Sequence, residues 1–65
     1  MPQNPHDLLR CRRALYVSGK TTDATARLDL SIIARALGIP ASTRAAWIGT
    51  TLAEWQAAKT KPPKN

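Results

Sequence analysis

Few side chains in this 65-residue sequence can do covalent chemistry, and they are scattered. There is one histidine (His6), one cysteine (Cys11), and four carboxylates: Asp7, Asp23, Asp29 and Glu54. Acid–base or nucleophilic catalysis needs a nucleophile and a base held within hydrogen-bond reach, and no such pair can be named here. No glycine-rich phosphate loop is present. One His and one Cys cannot supply the four ligands of a structural zinc site. The sequence therefore points away from an enzyme, and it implies no cofactor and no metal.

What remains is chemistry of binding. Ten Lys and Arg residues against four acids give a net charge of +6. Such an excess attracts polyanions over distance. An anionic membrane is the weaker candidate, because no apolar run approaches the length of a bilayer span. The first residues, Met1-Pro2-Gln3-Asn4-Pro5, lack the basic-then-apolar order of a secretory signal. The single cysteine suits a reducing compartment. A cytoplasmic location is the expectation.

The elements that would position these groups read as helices. Residues 1–6 form an expected flexible lead-in, with Pro2 and Pro5 discouraging helix. From Asp7 the pattern is helical: Leu8, Cys11 and Leu15 fall at i, i+3 and i+7, which places Cys11 among buried, inert thiols. Gly19 ends that helix. Residues 20–23 are polar and loop-like, with Thr22 or Asp23 as a cap for a short helical turn through Ala24, Ala26 and Leu28. A second helix is expected from a cap at Asp29, with Leu30, Ile33, Ala34 and Leu37 as its apolar face, stopped by Gly38 and Pro40. Ser42 reads as the N-cap of a third helix running through Trp47 and Ile48. Gly49 then interrupts, and Thr51 with Glu54 suggests a capping box for a fourth, Leu52–Ala58. Residues 59–65, with Lys59 and Lys61, read as a basic disordered tail.

The expectation is an all-α, three- to four-helix domain over residues 7–58. Eleven of the apolar residues are alanines and there is no Phe, so the core should be thin and lean on a partner or ligand.

The stretch Leu30 to Ile48 has the layout of a helix-turn-helix: two helices joined by a short turn containing glycine. Ala34 permits close helix approach, Gly38 supplies positive φ, and Ile39 fills the space beneath the turn. The pattern Leu30-x-x-Ile33-Ala34-Arg35-x-Leu37-Gly38-Ile39-Pro40-x-Ser42-Thr43-x-x-x-Trp47 resembles the helix-turn-helix of phage small-terminase-type proteins, Mu-like phage DNA-binding proteins and transposase N-terminal domains. Arg12 to Lys20 is similar to the helix preceding the motif there. The likeness covers about half the chain. It implies DNA binding, as a regulator, a packaging-initiation subunit or a transposition accessory.

The sequence departs from that pattern in three ways. Residues 22–29 are extra. Arg44 stands where a small or apolar residue is usual; the helix then either buries Trp47 and leaves Arg44 awkward, or buries Ala41, Ala45 and Ile48 and frees Arg44 for solvent or DNA, and the second reading is preferred, with Trp47 partly buried at the edge. The helix is also poor in side chains that read base edges, which leaves Ser42, Thr43 and Arg44 as candidates. Phosphate contacts would come from Arg10, Arg12, Arg13, Lys20, Arg27, Arg35, Lys59 and Lys61. Engaging six phosphates would give a log–log salt slope of roughly −5.

Leu28 and Ile32 share a face on which polar residues are usual. Either residues 22–29 fold over Ile32, or the pair meets another chain, as in a homodimer. The alternative function is a phage-type accessory protein that uses this shape to bind a protein partner, through Leu28, Ile32, Trp47 and Ile48.

Overall fold

The computed structural model describes residues 4–60. The expectations for residues 1–3 and for 61–65, Lys61 included, lie outside the described residues. The chain forms three α-helices: α1 (Pro5–Val17), α2 (Asp23–Ala36) and α3 (Ala41–Thr60). Each packs against both others.

Helix α1 starts two residues before Asp7. The Asn4 side chain accepts a hydrogen bond from the His6 backbone N–H at 2.8 Å, which satisfies one of the free donors of the first turn. Pro5 stands at the first helical position, where its missing N–H costs nothing. At the other end Gly19 takes φ +80°. The Gly19 N–H donates to the Tyr16 carbonyl and the Lys20 N–H to the Leu15 carbonyl, at 3.0 and 2.9 Å. This is the Schellman pattern that ends a helix.

Residues 23–36 are one helix. The Thr22 side chain accepts from the Thr25 N–H at 3.2 Å, so the cap sits there and not at Asp29. Asp29 lies within α2, its carboxylate 3.8 Å from Arg12 of α1. Helix α2 ends as α1 does. Gly38 takes φ +78°, and the Gly38 and Ile39 N–H groups donate to the Arg35 and Ala34 carbonyls at 3.1 and 3.0 Å.

Helix α3 runs unbroken from Ala41 to Thr60. The expected break at Gly49 does not occur, and Ser42 and the Thr51–Glu54 pair lie inside the helix instead of capping two. One mid-helix glycine costs about 1 kcal/mol. Burial of Leu52 and Trp55 beyond it outweighs that cost.

Tyr16, Ala26, Leu30, Leu52 and Trp55 form the core cluster, with Leu9, Trp47 and Ile48 packed against it. Ile33 and Ala34 are fully buried as well. Tyr16 joins all three helices. Its ring lies 5.9 Å from that of Trp55, Lys59 Nζ stands 5.0 Å from the ring centroid, and its hydroxyl donates to Asp23 Oδ1 at 2.5 Å. That hydrogen bond, with burial and the Asp23 charge, raises the Tyr16 pKa above its ordinary value of 10. The face of α1 that turns inward is thus Leu9 and Tyr16, one residue on from the expected stripe. Cys11 is consequently exposed, not buried.

Candidate nucleic-acid interface

The turn between α2 and α3, residues 37–40, delivers the first turns of a 20-residue helix to the surface. Ala41, Ser42 and Thr43 are all exposed. Thr43 Oγ1 donates to the Pro40 carbonyl at 3.2 Å, and its oxygen can still accept a bond. Pro40 has no N–H and the Thr43 N–H donates to the Pro40 carbonyl at 3.0 Å, so the Ala41 and Ser42 N–H groups are left without a backbone partner at this helix start, and the macrodipole adds partial positive charge there.

Arg44 does not join Ser42 and Thr43. Its Nη2 donates to the Ile39 carbonyl at 3.1 Å, and its Nε is buried with no hydrogen-bond partner. The side chain folds back over the turn and fastens it. Ala41 and Ala45, expected inside if Arg44 were free, are exposed. The preferred register holds in part: Trp47 is half-buried as expected and Ile48 with it, but Ala41 and Ala45 are in solvent and Arg44 is half-buried instead of free.

The expected phosphate contacts divide into groups. Arg13, Lys20, Arg27 and Arg35 are exposed and form no ion pair among the described residues. Arg10 pairs with Asp7 at 3.0 Å, both largely in solvent, a contact of little strength. Arg12 is engaged by Asp29, and Lys59 stands over the Tyr16 ring. The structure brings the free Arg13 and the Asp7-paired Arg10 together with His6 along one wall of an open groove of about 630 Å³ between α1 and α3. Trp47, Thr50 and Glu54 line the opposite wall, over Leu9 and Trp55. Sequence reasoning missed this groove. The i, i+4, i+7 spacing of His6, Arg10 and Arg13 was the signal available.

Leu28 and Ile32 are 63% and 53% exposed, so residues 22–29 do not cover Ile32. On α3 the row Ala41, Ala45, Gly49, Ala53 and Ala57 is exposed throughout. Among the described residues no group of His, Cys, Asp and Glu could hold a metal ion, and no helix is long and apolar enough to cross a membrane.

Comparison with family models, with curated proteins and with solved structures finds no match.

Proposed function

We propose that this domain binds double-stranded DNA through the first turns of α3, in the manner of a helix-turn-helix, with phosphate contacts supplying most of the affinity. A phage or mobile-element regulator, packaging-initiation subunit or transposition accessory is the matching role. The observation that carries this reading is the meeting of α2 and α3. A four-residue turn, closed by the Gly38 bonds, leaves Ser42 and Thr43 exposed at the start of a long helix, which is how such helices enter the major groove.

The withdrawal of Arg44 leaves only two short hydroxyl side chains to meet base edges. Base contacts specify and phosphate contacts position, so discrimination between sequences should be weak. Engagement of Arg10, Arg13, Lys20, Arg27 and Arg35 would give a salt slope of roughly −4.5. The test is a fluorescence-anisotropy titration with a labelled random duplex of about 25 base pairs at low and moderate salt. Binding that weakens steeply with salt supports the proposal; absence of binding at low salt refutes it.

A second reading is favoured by a specific feature. Leu28 and Ile32 stand in solvent on α2, and the outward row of α3 carries only small residues. Small residues let another helix approach closely, and exposed apolar pairs mark protein contacts. A protein partner, or a second copy, would use these faces and leave the salt slope near zero.

A further inference from the structure

The groove between α1 and α3 lies apart from the first turns of α3, and its walls differ in chemistry. His6, Arg10 and Arg13 are spaced i, i+4 and i+7, so they run along one face of α1 for about 10 Å. Trp47, Thr50 and Glu54 are spaced i, i+3 and i+7 along α3. The groove is therefore a trough with an imidazole and two guanidinium groups on one side and an indole, a hydroxyl and a carboxylate on the other. Trp47 is half-buried: its inner part packs against the core, and the rest lines the groove.

We propose that this groove takes an unpaired stretch of nucleic acid, with phosphates along the Arg10–Arg13 wall and a base against Trp47. A basic track beside an aromatic surface is the arrangement by which single strands are held without sequence preference. The volume, about 630 Å³, lies within the range of sites for small organic ligands. Glu54 favours this occupant over an acidic peptide. A carboxylate on the wall repels phosphates and acidic side chains alike, but it accepts a hydrogen bond from the exocyclic amine of a base, a donor that aspartate and glutamate side chains lack. The proposal shares Arg10 and Arg13 with the duplex reading, but Trp47 and Glu54 lie outside the Ala41–Thr43 surface, so tryptophan quenching tells the two apart.

The test uses the full chain and a labelled oligodeoxycytidylate, whose bases carry the exocyclic amine, read both by anisotropy and by quenching of tryptophan emission. An unlabelled random duplex and polyglutamate serve as competitors. The expected result is saturable binding with quenching. Trp47→Leu should weaken it about 5- to 150-fold, the range for loss of one stacked base, and leave duplex affinity unchanged. Arg13→Gln, at an exposed position, should lower the single-strand salt slope by about 0.7. If Trp47→Leu does not fold, quenching together with the Arg13→Gln slope decides the matter. Binding without quenching would overturn the proposal, as would no binding. Polyglutamate competing as well as the oligonucleotide would assign the groove to an acidic peptide instead.

Discussion

Replacing Gly49 by alanine should stabilise the domain. Gly49 sits in the middle of α3, and a Cβ built there meets no atom within 4 Å. Its φ is not in the left-handed region; only Gly19 and Gly38 are. Nothing within the chain therefore requires glycine at this position. A glycine inside a helix is less favourable than alanine by about 0.5–1 kcal/mol, because its backbone loses more freedom on folding. Alanine should recover that amount. For a domain of this size the gain corresponds to a rise in Tm of roughly 2–8 °C. The assay is thermal and urea unfolding followed by far-UV circular dichroism, with the urea midpoint moving up at unchanged slope. Gly38→Ala is the control. It has equal space around it but φ +78°, so it should lose about 1–2 kcal/mol. A fall in stability for Gly49→Ala would refute the reasoning, since it would mean that α3 is broken or closely packed at that point.

Other perturbations test the core and the turn. Tyr16 is 2% exposed and its pKa is raised, chiefly by donating to Asp23. The stability from this raised pKa is fully present below pH 10 and is lost as pH climbs through the higher folded value. Alkaline unfolding curves should show that loss, and Tyr16→Phe should remove the part due to this group; an unchanged curve would contradict the hydrogen bond. Arg44→Ala should cost on the order of 1 kcal/mol by releasing the Ile39 carbonyl, while leaving the duplex salt slope unchanged. A drop of about 1 in that slope at unchanged stability would instead put Arg44 on phosphate. Arg35→Ala should lower the slope by about 1 without destabilising the fold, as compared by titrations at several salt concentrations.

Much of the architecture can be read from local signals. Gly19 and Gly38 stop helices because each takes positive φ, and the spacing of Leu30, Ile33 and Ala34 marks the buried side of α2. The inward face of α1 is harder. Leu8-Leu9 and Leu15-Tyr16 are adjacent apolar pairs, so two stripes one residue apart both fit the helical period. The choice falls to Tyr16, whose hydroxyl needs a partner and finds Asp23 on another helix. Periodicity along α1 carries no information about Asp23. Gly49 misleads for a related reason: a lone glycine weakens a helix without ending it, and the buried Leu52 and Trp55 hold the chain helical beyond it. Arg44 reads as a reader of bases from its position alone. Its actual use depends on the Ile39 carbonyl lying within reach, which is a property of the folded turn.

Backbone amide shifts, followed by two-dimensional ¹H–¹⁵N NMR during titration with a random duplex at low salt, would test duplex binding by α3 most directly. The account predicts the largest changes at Ala41, Ser42 and Thr43, with smaller ones beside Lys20, Arg27 and Arg35, all reversed by added salt. Changes confined to Leu28, Ile32 and the Ala45–Ala57 row, or no changes at all, would contradict it.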